Sequence, residues 1–123
     1  MERNIIREGK YQIIEETNTI NKITFFQLRD GDDLLATAEI STAGDVWLFN
    51  RIFSSAENRA KGYGSEVLKK VIEYINRKNI DLFAYIYSTG SLSEIQLDAW
   101  YRRYGFVDAS EEGYQLVRYS RQP

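Results

Sequence analysis

Between a run that reads as a strand, Val46-Trp47-Leu48-Phe49-Asn50-Arg51-Ile52-Phe53, and a run that reads as a helix, the chain places Asn58-Arg59-Ala60-Lys61-Gly62-Tyr63-Gly64-Ser65-Glu66-Val67-Leu68. The helix is signalled by Val67, Leu68, Val71, Ile72 and Ile75, an apolar stripe at i, i+1, i+4, i+5 and i+8. Two glycines let the backbone turn its N–H groups toward one point, and the helix N-terminus adds a partial positive charge there. Arg59 and Lys61 add full charges. Such a loop suits a pyrophosphate. A dinucleotide fingerprint would need a third glycine where Val67 stands, and a P-loop would end in Gly-Lys-Ser/Thr, a triplet this chain lacks. What remains is Arg-x-x-Gly-x-Gly between strand and helix. The plainer account of the same residues is a glycine-rich turn with solvated basic side chains.

Further on comes Leu97-Asp98-Ala99-Trp100-Tyr101-Arg102-Arg103-Tyr104-Gly105-Phe106. Leu97, Trp100, Tyr101 and Tyr104 share one helix face at i, i+3, i+4 and i+7. Ser91 with Glu94, or Ser93 with Gln96, offers a capping box at its start. Gly105 is placed to stop it at C′, with Phe106 folding back on the last turn. On these grounds alone it is a core-packing helix with a glycine stop.

Together, in this order and spacing, the two motifs resemble the GNAT superfamily of N-acetyltransferases. The first resembles that family's acetyl-CoA pyrophosphate loop. The second resembles its late helix, with Tyr101 in the family's tyrosine position. The resemblance is good over residues 45–106 and rests elsewhere on the order of elements. It implies a small acyltransferase that moves an acetyl group directly from acetyl-CoA to a primary amine, with no metal. Pantetheine would insert between the fourth and fifth strands like an added strand. Ile52, Phe53 and Ser54 would meet its amides, and Ala60, Lys61, Gly62, Tyr63, Gly64 and Ser65 would surround the pyrophosphate, with Arg59 nearby. A strand-end amide could polarise the thioester carbonyl.

Composition agrees with one domain over residues 1–123. By the usual scaling that length gives a radius of about 14 Å, and a hydrophobic fraction of 43% supports a core. One proline and no low-complexity stretch argue against linkers. No run has the apolar length of a membrane span, and the charged N-terminus is not a signal peptide. From those missing signals and the implied cofactor, a cytoplasmic location is expected. Histidine and cysteine are both absent. Their absence removes the usual general base, thiolate and imidazole metal ligands, and Ser-His or Cys-His nucleophile systems.

Charge is unevenly placed although the net is only −2. Residues 1–50 hold five Lys/Arg against nine Asp/Glu, whereas residues 59–78 hold six against two. Positive charge therefore gathers at the proposed phosphate loop. Nucleic-acid binding is not expected, because the chain is acidic, with a pI near 5.2, and carries no recognised motif for it.

The remainder reads as strands. Lys10 to Thr17 and Lys22 to Arg29 alternate, with a polar turn from Asn18 to Asn21. Asp30-Gly31 signals a hairpin into Asp33 to Ile40, and a turn from Ser41 to Asp45 leads to the fourth strand. Ile80 to Tyr87 is aromatic and β-branched enough for a fifth strand. Asp108 to Glu112 and Tyr114 to Tyr119 close the sheet. The fold class is therefore α/β (α+β), a mixed, mostly antiparallel twisted sheet in the order β-β-β-β-α-β-α-β-β.

Two departures from the family pattern stand out. Most members place one or two helices after the first strand, walling the acceptor pocket. Here four turn residues separate the first two strands, so that wall is missing or is built by residues 1–10. Many members also carry asparagine seven residues before the tyrosine, where this chain has Glu94. An open acceptor side fits a protein lysine or N-terminal amine, or a pocket completed by a second subunit of a homodimer.

Chemistry without histidine falls to other groups. Tyr101, titrating near 10 when free, would hydrogen-bond the departing thiolate. A lysine amine near pKa 10.4 is neutral only about one part in a thousand at pH 7.4, which costs about 4 kcal/mol. A base must therefore be Glu39, Asp45, Glu57 or Glu94, or water leading to one of them. Glu39 and Glu94 rank first, as a strand and a helix start can aim them at the cleft. The residues also leave open a catalytically silent acyl-CoA sensor, or a protein-interaction module whose tyrosines and tryptophans form a contact surface.

Overall fold

In the computed structural model, which describes residues 2–54, 62–86, 93–110 and 113–120, the strands form one eight-stranded sheet in the order β1-β2-β3-β4-β5-β6-β8-β7. Strands β1 (Glu2–Glu8), β2 (Tyr11–Asn18), β3 (Ile23–Asp30), β4 (Asp33–Ala43) and β5 (Val46–Ser54) form an antiparallel meander. Helix α1 (Tyr63–Lys78) then crosses over to β6 (Leu82–Ala84), which is parallel to β5. Helix α2 (Glu94–Arg103) leads to β7 (Val107–Asp108) and β8 (Leu116–Arg118), with β8 antiparallel to both β6 and β7.

The meander follows from short turns. Three of its hairpins close over two residues, each opening on a glycine at positive φ: Gly9 at 59°, Gly31 at 60° and Gly44 at 63°. That backbone matches the twist of the flanking strands. The β2–β3 connection is built differently. The Asn18 side-chain oxygen accepts from the amides of Ile20 at 3.0 Å and Asn21 at 3.3 Å.

One strand exceeds the expected set. Residues 2–8 pair along their whole length with β2, from Glu2 opposite Thr17 to Glu8 opposite Tyr11. They extend the sheet in its own plane, so they do not stand in for the missing wall helices. Other bounds shift. β4 runs on to Ala43 rather than ending at Ile40, whereas β6 has only three residues where Ile80 to Tyr87 was expected. The closing pair is likewise shorter than Asp108 to Glu112 and Tyr114 to Tyr119.

Both helices lie on one face. α1 buries Val67, Leu68, Val71 and Ile75 against Ile13, Phe26, Leu28, Ala38 and Ile40. Each large apolar side chain so buried contributes about 1.5–3 kcal/mol. Tyr74 meets Phe26 edge-on at 5.4 Å, and Arg77 reaches the buried Glu15 of β2 at 3.2 Å. α2 adds Leu97 and Tyr101 to the same core, with Phe106 behind them. Among the described residues no helix covers the opposite face.

The ends of α2 follow its sequence signals. Of the two capping boxes offered, the chain uses Ser93 with Gln96: the Gln96 amide donates to Ser93 Oγ at 3.2 Å, and the Ser93 amide to Gln96 Oε1 at 2.8 Å. At the other end the Gly105 amide donates to the Arg102 carbonyl and the Phe106 amide to the Tyr101 carbonyl, a Schellman closure. Ser93→Ala is expected to cost about 1 kcal/mol in urea-unfolding stability. An unchanged midpoint would show that packing alone holds α2.

Candidate active site

β5 and β6 pair only at Trp47–Leu82, Leu48–Phe83 and Phe49–Ala84. Beyond Phe49 the β5 edge, from Asn50 to Ser54, has no strand on its β6 side among the described residues. The segment after β6 bonds elsewhere: the Ile86 amide donates to Gln115 Oε1 at 2.6 Å, toward β8. A wedge therefore opens between two parallel strands at their C-terminal ends, where backbone N–H and C=O groups of β5 can take an extended ligand.

A bulge sits where the wedge begins. β4 pairs Glu39 with Arg51 and Ile40 with Phe49, which leaves Asn50 as the extra residue of β5. Asn50 Nδ2 donates to Glu39 Oε2 at 2.9 Å, and Ser41 Oγ donates to Asn50 Oδ1 at 3.2 Å. Arg51 reaches the other Glu39 oxygen at 3.4 Å. The Glu39 side chain, 17% exposed, lies on the helix-free face, since its neighbours Ala38 and Ile40 point into the core.

At the same end stands the start of α1. Its N-cap is Gly62, at φ 79°, a conformation that glycine adopts without strain, and no side chain caps it. Among the described residues no side chain takes the first-turn amides, which stand at the positive end of the helix dipole and suit an anion or water. Tyr63 is held edge-on by Tyr11 at 5.9 Å. Arg59, Ala60, Lys61 and Glu57 lie outside the described residues.

α2 reaches the wedge from the helical face. Tyr101, 6% exposed, packs on Phe49 at 5.6 Å and on Phe106 at 5.5 Å, beside the last β5–β6 pair. Burial pushes its phenol up to about 12. Trp100 spans from α2 to α1, donating from Nε1 to Ser65 Oγ at 3.2 Å. Its ring lies 3.5 Å from where a side chain on Gly64 would begin, and that point is 3.9 Å from Ser54 Oγ.

The structure therefore gathers Ser54, Gly64, Ser65 and Trp100 at one end of the wedge, and sets Tyr101 and Glu39 on opposite faces of the sheet near its apex. Ile52 is partly buried on the core face, while Phe53 is 52% exposed. Glu94 is exposed in the first turn of α2, and Asp45 is exposed in the β4–β5 turn. Asn50 and Trp100 were not anticipated as site residues. An asparagine interrupting an apolar strand was the signal for the first; nothing local distinguishes Trp100 from a core aromatic. Among the described residues no group of three or more Asp or Glu side chains is placed to hold a metal, and no helix is long and apolar enough to cross a membrane.

No protein-family model and no curated protein matches the chain. Solved structures do. The PaiA N-acetyltransferase of Thermoplasma acidophilum, in complex with coenzyme A, superimposes with a TM-score of 0.63 at 17% identity, over 80% of this chain and 61% of that one. The chain thus spans less than two thirds of that enzyme. The ribosomal-protein-S18-alanine N-acetyltransferase of Escherichia coli gives 0.64 at 14% identity, over 95% of this chain and 74% of the enzyme. An acetyltransferase of the GNAT family from Staphylococcus aureus Mu50 gives 0.61 at 15% identity, over 83% and 70%. Over most of its length, and at identities below 20%, the chain therefore has the fold of the GNAT acetyltransferases.

Proposed function

We propose that the chain is an acetyl-CoA-dependent N-acetyltransferase acting on a protein lysine or N-terminal amine. The observation that carries this reading is the end of β5–β6 pairing at Phe49–Ala84 beside a glycine-led helix N-terminus that no described side chain caps. Coenzyme A bound to a protein of the same fold supports the cofactor. The β5 edge from Asn50 to Ser54, including Ile52 and Phe53, would bind the pantetheine amides. Gly62 to Ser65, with Arg59, Ala60 and Lys61 preceding them, would take the pyrophosphate.

With the thioester in the plane of the sheet, the two faces have separate tasks. Tyr101 on the helical face would donate a hydrogen bond to the sulfur as the C–S bond breaks. Its raised pKa makes it a hydrogen-bond donor rather than a full acid. The amine would approach from the helix-free face, forming the C–N bond while its proton passes to Glu39 directly or through water. Glu94, exposed at the start of α2, remains the alternative base. With no helix over it among the described residues, this face would admit a bulky acceptor, which favours a protein over a small polyamine. One protein of the same fold acetylates an alanine of a ribosomal protein.

Incubation with acetyl-CoA and lysine-containing peptides, read by mass spectrometry, tests the reading. Acetyl transfer to a lysine side chain or peptide N-terminus is the expected result. Transfer only to small polyamines would overturn the acceptor class. Binding of acetyl-CoA without transfer to any amine would instead leave an acyl-CoA-binding sensor.

A further inference from the structure

We infer that Trp100 is a positioning residue, one that orients the Ser65 hydroxyl toward the cofactor pyrophosphate. The inference rests on the proposed cofactor site and adds a residue on α2 to it. An indole N–H can only donate, so the 3.2 Å contact from Trp100 Nε1 makes Ser65 Oγ the acceptor. The Ser65 proton must then turn away from the indole. Ser65 lies in the first turn of α1, whose amides no side chain caps among the described residues, so its proton joins those amides as a donor for an anion.

Two further contacts fix the indole for this task. Its ring covers Gly64 at 3.5 Å, ordinary van der Waals distance to the point where a β-carbon would stand. It also stacks on Tyr101, with centroids 5.6 Å apart and planes 23° apart, and meets Tyr104 edge-on at 6.3 Å. A phenylalanine could keep the stacking on Tyr101 but would lose the distal ring over Gly64 and could not donate. One side chain thus ties the anion-binding end of α1 to the helix turn that carries Tyr101.

A double-mutant cycle in CoA affinity, measured by calorimetry below the melting temperature of every variant, tests the inference. Trp100→Phe and Ser65→Ala are each expected to weaken CoA binding about five-fold, in line with one hydrogen bond. The double variant is expected to be no weaker than either single one, because both remove the same interaction. Unchanged affinity in Trp100→Phe, or effects that multiply in the double variant, would overturn it and leave Trp100 a packing residue. Should Trp100→Phe not fold, Trp47→Phe leaves Trp100 as the sole tryptophan. Its emission is expected to change as CoA is titrated, and constant emission at saturation would overturn the inference. If wild type binds no CoA, the proposed function fails; if wild type binds and the cycle shows no coupling, only the role of Trp100 fails.

Discussion

Tyr101→Phe is expected to lower the rate of acetyl transfer to a lysine peptide about a hundredfold, the lower end of what a positioned proton donor contributes. CoA affinity is expected to stay within about twofold, since the lost hydroxyl acts on charge that develops only as the thiolate leaves. The ring packs between Phe49, Trp100 and Phe106, contacts that phenylalanine keeps. Activity unchanged in the variant would make Tyr101 a core aromatic and no more. The same substitution has a second signature. Burial raises the phenol from its ordinary 10 to about 12, so between those values the unfolded chain has lost a proton that the folded chain keeps. Stability from this group is therefore whole below pH 10 and is lost as pH rises toward 12, by up to about 3 kcal/mol. Urea unfolding from pH 9 to 11 should show that decline in wild type, and a shallower one in Tyr101→Phe.

How much of this was written in the sequence differs from element to element. α1 was legible because Val67, Leu68, Val71, Ile72 and Ile75 repeat at helical spacing and all pack toward the sheet. α2 was legible because its cap, apolar face and glycine stop agree. β1 was not, although Gly9-Lys10 is as good a two-residue hairpin as Gly31-Asp32. Its residues, Glu2-Arg3-Asn4-Ile5-Ile6-Arg7-Glu8, do not alternate, because an edge strand is held by backbone pairing more than by a buried face. β6 was overestimated for the opposite reason. Apart from Asp81, Ile80 to Tyr87 is apolar or aromatic, but pairing requires a neighbour, and past Ala84 the chain leaves β5 and turns toward Gln115.

The candidate site divides the same way. Gly62 was legible because its positive φ calls for glycine, whereas at Gly64 a β-carbon would meet Trp100 only at ordinary contact distance. The Glu39–Asn50–Ser41 network was not, since it depends on a one-residue bulge that shifts β5 against β4. A slip of one residue decides which side chains share a face, and no local pattern around Asn50 states it. The helix-free face was legible only as a gap: too few residues separate β2 from β3 for a helix to fit.

The central claim is that the wedge and the α1 N-terminus together bind acetyl-CoA, and a thermal melt of wild type and Gly62→Glu with acetyl-CoA, CoA and ATP tests it most directly. Position 62 has open space for a side chain, so the substitution leaves the packing alone. It forces a non-glycine residue to φ 79° and sets a carboxylate where the pyrophosphate would lie. A ligand that binds only the folded chain, at a hundred times its dissociation constant, adds about 2.7 kcal/mol, or several degrees for a domain of this size. Acetyl-CoA and CoA should both raise the wild-type melting temperature by that amount, ATP should not, and Gly62→Glu should show no ligand-dependent rise. A wild-type melting temperature unmoved by either CoA ligand would contradict the account.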